Sequence, residues 1–162
     1  GRAEEPTPTL GMVRLLDVVD DVFDGERLAA DSKQIVFNTE IMPLLTIRAD
    51  TEQLYRVLLN LVRNARQAIA ATGQPGAITI AANEDDNAWM ITVSDTGPGL
   101  PPRAVEHLFT PFQGGTRKGG SGLGLTISAE LVRGHGGKLK LMESNTDGTV
   151  FGICLPKGDG LV

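Results

Sequence analysis

The sequence predicts an α+β fold in which helices pack on one face of a mostly antiparallel sheet. Stretches with apolar residues at helical spacing alternate with pairs of short apolar stretches of strand length. Strands joined by short polar connections pair antiparallel, so the order helix, hairpin, repeated three times, does not fit a doubly wound parallel sheet. With 162 residues, 41% of them hydrophobic, the chain is long enough to form one domain with a hydrophobic core.

The first helix is predicted over residues 11–30, and residues 35–40 and 45–49 are predicted to form a strand pair around a Met-Pro connection. The helix prediction depends on apolar residues that recur at steps of three and four: Leu15, Val18, Val19, Val22 and Phe23.

A second helix is predicted from Asp50 to about Thr72, because Asp50 and Gln53 have the spacing of a capping box. One face of this helix is an apolar stripe. Another face carries four side-chain amides, since steps of three and four residues stack on a helix: Gln53, Asn60, Asn64 and Gln67.

The rest of the chain repeats the hairpin and helix pattern. The predicted elements are strands at 77–83 and 89–94, a short helix at 101–108, a helix at 121–133, and strands at 138–144 and 149–155.

Composition narrows the classes of function. The net charge of −5 argues against a nucleic-acid partner, which requires a basic face. A lone Cys154 forms no internal disulfide and is predicted to be a core residue, so a reducing compartment is expected. No apolar run reaches the roughly 18 residues of a membrane helix.

Glycine dominates residues 114–125, GGTRKGGSGLGL, where a loop leads into the fourth helix. Bare backbone N–H groups at a helix N-terminus suit a phosphate group. Neither the Walker pattern nor the dinucleotide pattern is present, because Leu125 follows the last glycine and no strand precedes the segment. By itself, the segment could equally be a loop without a ligand.

Two further polar positions have both a functional and a purely structural interpretation. Asp95 ends a strand before two glycines, so it either presents a carboxylate to an amino group or forms an Asx turn. Asn64 either gives a carbonyl oxygen to Mg²⁺ or lies on the helix surface.

Five segments occur in a characteristic order: LLNLVRNA (58–65), DTGPG (95–99), LFTPF (108–112), GSGLGL (120–125) and DGT (147–149). They resemble the asparagine, glycine and phenylalanine boxes of the catalytic ATP-binding domain of bacterial sensor histidine kinases. That domain belongs to the GHKL ATPase superfamily, with type II topoisomerase, heat-shock chaperone and mismatch-repair relatives. The resemblance implies a Bergerat-type two-layer α/β sandwich, with a mixed, mostly antiparallel sheet of about five strands covered on one face by about three helices.

The resemblance also implies a site for Mg·ATP. Asn64 is the implied Mg²⁺ ligand, Asp95 the implied acceptor for the adenine amino group, and Leu100 part of the adenine pocket. The complete set of implied ATP-binding residues is Asn60, Asn64, Asp95, Gly97, Gly99, Leu100, Lys118, Gly120, Gly122, Leu123, Gly124 and Thr149.

Residues 113–121 resemble the family's ATP lid, anchored by Phe109 and Phe112 and carrying Arg117 and Lys118 as candidate phosphate contacts. Asn60 occupies the position where the topoisomerase-like ATPases have a glutamate that activates water. Because an amide is no general base, the resemblance is to the branch that phosphorylates a histidine.

Two neighbouring positions depart from the family pattern, since related kinases often have a lysine where this chain has Gln67 and an aromatic residue where it has Ala68. Arg63, Arg66 or Lys118 is expected to supply the missing cation. The two histidines, His107 and His135, are expected to be structural, because neither has the setting of a phosphoacceptor.

The predicted organisation is a linker at 1–11, the catalytic domain at 12–156 and a C-terminal tail at 157–162. The predicted function is transfer of the γ-phosphate of Mg·ATP to a histidine on an upstream dimerisation domain, with a response regulator as the next acceptor. The expected parent is a homodimer with this domain in the cytoplasm, without nucleic-acid or direct membrane contact, and its membrane anchoring is left open. The alternatives are a nucleotide-binding pseudokinase or regulator-docking module without transfer, and an ATP-hydrolysing relative.

Overall fold

The computed structural model describes residues 5–110 and 124–158, except for the side chain of Ala30. Seven strands are described: β1 Gly11–Arg14, β2 Ile35–Glu40, β3 Thr46–Ala49, β4 Gly76–Glu84, β5 Ala88–Asp95, β6 Lys138–Asn145 and β7 Gly148–Pro156. The described helices are α1 Leu15–Arg27, α2 Thr51–Ala70, α3 Pro102–Glu106 and α4 Leu125–Gly134, with a 3-10 turn at Ala30–Ser32. Within these residues no helix is both long and apolar enough to span a membrane.

Five of the strands form one mixed sheet in the order β2-β4-β5-β7-β6. Only the β2–β4 pair is parallel, and the other three pairs are antiparallel. The predicted α+β class with a mixed, mostly antiparallel five-stranded sheet is therefore confirmed. The remaining strands, β1 and β3, form a separate antiparallel pair.

One face of the sheet is buried under the helices. In the register, Val93 of β5 lies between Ile80 of β4 and Phe151 of β7, and all three side chains are buried. Side chains alternate across a strand, so residues at even steps from Val93 face the same layer. Helices α1, α2 and α4 supply the other half of the core with fully buried residues such as Phe23, Leu58 and Leu131.

Helix α2 begins as the sequence predicts. The Asp50 carboxylate accepts a hydrogen bond from the backbone N–H of Gln53 at 3.0 Å, which caps the helix. The reciprocal half of the predicted capping box is absent. The Gln53 amide instead donates to the carbonyl oxygen of Pro6, and the backbone N–H of Asp50 donates to Nε2 of His135.

Two predictions for the first third of the chain are wrong. Residues 11–14, predicted as the start of the first helix, form strand β1. Residues 35–40 and 45–49 do not pair with each other, because β2 pairs with β4 and β3 pairs with β1. Helix α2 connects β3 to β4, so the pairing of β2 is non-local and the hairpin signal was misleading.

At the start of β5, Trp89 is 6% exposed and packs beside the Lys157 ammonium, which lies 5.4 Å from the ring centroid. Lys157 also forms an ion pair with Glu84 at 2.7 Å. Cys154, predicted to lie in the core, is only half-buried because its side chain faces away from the helix layer.

Candidate functional site

The site lies at the end of β5. Asp95 is the last residue of that strand and is paired with Ile78 of β4 and Thr149 of β7. Two steps after Val93, its side chain faces the helix layer, where burial is greatest. The sheet therefore carries a carboxylate at the end of an otherwise apolar row.

The surroundings of Asp95 act on its pKa in opposite directions. Burial raises the pKa of the carboxyl, because desolvation disfavours the charged form. Hydrogen bonds from the backbone N–H groups of Gly97 and Thr149 lower it, but burial outweighs them. One of these bonds, from the Gly97 N–H to Oδ1 at 2.8 Å, forms the Asx turn that was the structural interpretation of this position.

The loop after Asp95 fits tightly between α2 and the β6–β7 hairpin. A Cβ on Gly97 would lie 3.1 Å from Asp95 Oδ1 and 3.5 Å from the Cβ of Ala68 in α2. Gly99 has a φ of 87°, and a Cβ there would lie 2.3 Å from the carbonyl oxygen of Asn145. Gly99 therefore allows a backbone approach that no other residue permits, whereas a side chain at Gly97 would require Asp95 to shift slightly.

The β6–β7 hairpin contacts the loop after Asp95 through a serine hydroxyl group. The backbone N–H of Leu100 donates to the Ser144 hydroxyl at 2.8 Å, and that hydroxyl lies 3.4 Å from the Thr149 hydroxyl. Thr149 is 4% exposed, and a Cβ on Gly148 would lie 1.9 Å from the carbonyl oxygen of Asp95. The structure thus brings Asp95, Gly97, Gly99, Leu100 and Thr149 together.

Helix α2 contributes the amide face of the site. Asn60 and Asn64 lie one turn apart on this helix and are both half-buried. The Asn60 Nδ2 atom donates to the carbonyl oxygen of Gly124 at 2.6 Å and to the Ser128 hydroxyl at 2.9 Å. The start of α4 is therefore held against the helix that carries Asn64.

Gly124 precedes α4 with a φ of 71° and provides no side-chain cap. The Thr126 hydroxyl donates to the carbonyl oxygen of Thr110 at 3.1 Å, so α4 also contacts the chain after α3. Phe109 packs edge-on against Phe151, with ring centroids 6.5 Å apart. The predicted site residues Lys118, Gly120, Gly122 and Leu123, with Arg117, Phe112 and the proposed lid 113–121, lie outside the described residues.

Arg66 does not supply a cation to this site. Two residues along a helix is about 200° around its axis, so Arg66 lies opposite Asn64. Its guanidinium binds Glu26 at 2.7 Å and Asp31 at 2.5 Å. Burial opposes the charge of Arg66, but these hydrogen bonds outweigh it and raise its pKa. Arg63 is half exposed and lies 3.8 Å from Glu26.

The two histidines differ. His135 Nδ1 lies 2.8 Å from the carbonyl oxygen of Leu131, and because that oxygen can only accept, Nδ1 is the donor. The other ring nitrogen, Nε2, accepts a hydrogen bond from the backbone N–H of Asp50. The ring therefore joins the end of α4 to the start of α2, as a structural residue does. His107 is 73% exposed beside Glu106 and has no such role.

Sequence reasoning missed Ser128 and Ser144. Both hydroxyls connect elements distant in sequence, and a serine on a helix or strand has no local signal for such a contact. For Ser128 a weak signal existed, because it lies in the helix turn directly after the glycine segment.

The arrangement suits a flat ligand with an amino group and an anionic tail. A buried carboxylate accepts hydrogen bonds from an amino group, and glycines without Cβ atoms leave the backbone accessible. The N-terminal end of α4 lies beside α2, and the N–H groups of a helix start favour negative charge.

Comparison with known proteins agrees with this geometry. The family model for histidine kinase-, DNA gyrase B- and HSP90-like ATPases matches residues 49–159. The sensor histidine kinase ZraS of Salmonella typhi is 37% identical over 150 residues, which cover 91% of this chain and 31% of ZraS. The sensory histidine kinase/phosphatase NtrB of Rhizobium meliloti is 36% identical over 126 residues, which cover 70% of this chain and 32% of NtrB. The chain thus spans about a third of the length of these relatives.

Solved structures agree as well. The catalytic domain of histidine kinase ThkA, in a nucleotide-free form, superposes with a TM-score of 0.77 and 28% identity, covering 92% of this chain and 96% of that domain. Full-length ShkA in complex with AMPPNP superposes with a TM-score of 0.78 and 28% identity, covering 95% of this chain and 32% of ShkA.

Proposed function

The chain belongs to the family of histidine kinase-, DNA gyrase B- and HSP90-like ATPases, and on that premise we propose that it binds Mg·ATP and transfers the γ-phosphate to a histidine of a separate dimerisation domain. The observation that carries this proposal is the convergence of Asp95, the loop with Gly97 and Gly99, Thr149 and the amide face of α2 at one end of the sheet. These residues come from four separate elements of the chain.

The adenine base would lie against Gly97 and Gly99, with its amino group donating to Asp95. Leu100 packs against the core from the loop and would line one side of the base. Within residues 5–110 and 124–158 the buried carboxylate forms no ion pair, and its backbone donors leave capacity for a further hydrogen bond. The AMPPNP bound to ShkA supports the choice of an adenine nucleotide.

A magnesium ion fits the donor set of this site. Among residues 5–110 and 124–158, no three His, Cys, Asp or Glu side chains are grouped as a metal site. The ion would be held by phosphate oxygens together with the Asn64 amide oxygen, since Mg²⁺ takes oxygen ligands and usually binds the phosphates of the substrate. When bound, Mg²⁺ neutralises the charge of the phosphates.

In the proposed reaction, a histidine nitrogen forms a bond to the γ-phosphorus while the bond from that phosphorus to the bridging oxygen breaks, and ADP leaves with the electron pair. Transfer of this kind depends on positioning and charge neutralisation rather than on a reactive protein side chain. Asn60 is an amide at the position of the hydrolytic glutamate in related ATPases, and its nitrogen is bound to α4. An amide there disfavours activation of water.

We propose that the partners are a dimerisation domain and a response regulator, and that the parent protein is a homodimer. The sensor kinases to which the chain is similar support this. A cytoplasmic location for this domain is proposed on the same basis. The predicted boundaries at 11 and 157 remain proposals. Residues on both sides contact the fold, since Thr9 donates to Asp50 and the carbonyl oxygen of Lys157 accepts from Arg48.

Labelled ATP and a dimerisation domain from a related sensor kinase test this function. We expect Mg-dependent label on the added domain and little phosphate release by the chain alone. Tight ATP binding without transfer would favour the nucleotide-binding or regulator-docking alternative. Rapid steady-state hydrolysis by the chain alone would favour an ATPase.

A further inference from the structure

We propose that Asn60 is a positioning residue, whose amide nitrogen fixes the start of α4 instead of contacting the nucleotide. The inference rests on the proposed function, because the position of the N-terminal start of α4 affects nucleotide affinity only if that start faces the phosphates. It also revises the role that the family resemblance implies for Asn60, which is that of an ATP contact.

Both hydrogens of the Asn60 amide are in use. Nδ2 lies 2.6 Å from the carbonyl oxygen of Gly124 and 2.9 Å from the Ser128 hydroxyl. An amide nitrogen has two hydrogens and no lone pair to share, so it is saturated by these two acceptors. A rotated amide would place its oxygen against the Gly124 carbonyl, so the orientation is set by chemistry.

The backbone at Gly124 is shaped to accept this side chain. A Cβ at that position would lie 2.8 Å from Asn60 Nδ2 and 2.9 Å from Oδ1. The φ of 71° also favours glycine there. Two independent requirements, conformation and space, therefore keep residue 124 free of a side chain where Asn60 reaches the backbone.

Fixing the Gly124 carbonyl also directs the first amide of the helix. The peptide unit is planar and trans, so the N–H of Leu125 points opposite to the carbonyl of Gly124. That N–H is one of the groups left without an intrahelical partner at a helix start. Asn60 thus sets the direction of the first N–H group at the helix end that favours the negatively charged phosphates.

Ser128 is the second point of this attachment. It is 2% exposed and lies one turn into α4, on the side that faces α2. The Thr126–Thr110 bond, by contrast, is exposed and attaches α4 to a different part of the chain. Asn60 therefore connects the two helices that border the phosphate end of the site, and its bond to Ser128 is the more buried of its two bonds.

The proposal is tested with the 162-residue chain, using Asn60→Asp, Ser128→Ala and the double variant. Aspartate has the shape of asparagine, but it cannot donate and is repelled by the Gly124 carbonyl. Asn83→Asp, the same chemical change at an exposed position of β4, is the matched control. Calorimetry measures binding of Mg·ADP and of adenosine, and hydrogen exchange without nucleotide measures protection of residues 128–131, whose N–H groups are the first to be bonded within α4.

We expect Asn60→Asp to lose about tenfold or more in ADP affinity, since two hydrogen bonds are broken. Adenosine affinity should stay within about twofold, because the base contacts Asp95 and not α4. Exchange at the start of α4 should be faster in Asn60→Asp without nucleotide. Ser128→Ala should have a smaller effect on both measurements, and the double variant should resemble Asn60→Asp.

Loss of ADP affinity with unchanged exchange in the nucleotide-free protein would mean that Asn60 contacts the phosphates directly, and would overturn the proposal. Equal losses for ADP and adenosine would indicate a general structural role and would overturn it as well. If the unaltered chain binds no ADP, the proposed function fails, but the exchange comparison still decides whether Asn60 holds α4.

Discussion

Asp95→Asn separates the binding role of this residue from its cost to the fold. The substitution keeps the size of the side chain and an oxygen that can accept from the Gly97 N–H. Because that oxygen is occupied by the turn, the new amide nitrogen takes the place of the other carboxylate oxygen. A donor would then face the adenine amino group, which is itself a donor.

The expected loss of affinity follows from the hydrogen bond that is removed. A hydrogen bond to a charged group contributes about 1.5–3 kcal/mol. At about 1.4 kcal/mol for each factor of ten, ATP affinity should fall by about 10- to 150-fold. Adenosine should lose a similar factor, because the contact is to the base.

Stability should change in the opposite direction. Burial raises the pKa of Asp95 in the folded state, so folding favours the protonated carboxyl. The stability associated with this group is fully present below the unfolded pKa and is lost as the pH rises through the folded pKa. At neutral pH the ionised Asp95 therefore destabilises the fold, and Asp95→Asn should unfold at the same temperature or a higher one.

The assay combines calorimetry with ATP and thermal unfolding of the same samples at several pH values. The difference in stability between the two proteins should shrink as the pH falls into the acid range. Asp86→Asn, an exposed aspartate in the connection before β5, is the control and should change neither quantity. Unchanged ATP affinity, or a clear loss of stability in Asp95→Asn at neutral pH, would refute the reasoning.

Three further substitutions test other parts of the structure. Asn64→Ala should weaken ATP binding in magnesium but not in EDTA, as measured by calorimetry in both conditions. Equal losses of ATP affinity with and without magnesium would contradict a role for Asn64 in holding the ion. Glu26→Gln should cost about 3 kcal/mol in urea unfolding, because it leaves Asp31 as the one acidic partner of the largely buried Arg66 guanidinium. The exposed control Asp24→Asn should cost less than about 0.5 kcal/mol, and similar losses for the two variants would contradict a contribution from the buried pair. Asp50→Ala should cost about 1 kcal/mol of unfolding free energy through the lost helix cap. Hydrogen bonds from Gln53 and Thr9 lower the pKa of Asp50 in the folded protein, so this contribution is present above pH 3.8 and is lost as the pH falls through the lower folded value. An equal stability difference between variant and parent at pH 7 and at pH 2 would contradict this.

Local signals predicted the elements whose partners are neighbours in sequence. Asp50 marked the start of α2, and the β4–β5 and β6–β7 hairpins follow from apolar stretches separated by polar connections. The pairing of β2 with β4 has no local signal, because the two strands are separated by β3 and α2. Strand β1 adjoins α1 without a break, so its apolar residues extended the helical pattern.

The same distinction holds for the site. The order of the motifs identified Asp95, the glycine loop and the amide face of α2. The contacts that hold these parts together depend on which elements become neighbours after folding. Ser128 and Arg66 illustrate this, since one faces Asn60 and the other is bound by Glu26 on the opposite side of α2.

Trp89 offers a practical benefit, because it is the chain's one tryptophan and therefore the source of its indole fluorescence. It lies in the core at the start of β5, while Asp95 ends the same strand, roughly 20 Å away at about 3.3 Å per residue. Emission from this ring should shift to longer wavelength when the protein unfolds and should change little when a nucleotide binds. Unfolding can therefore be followed in the same way with and without nucleotide, and no attached dye is needed.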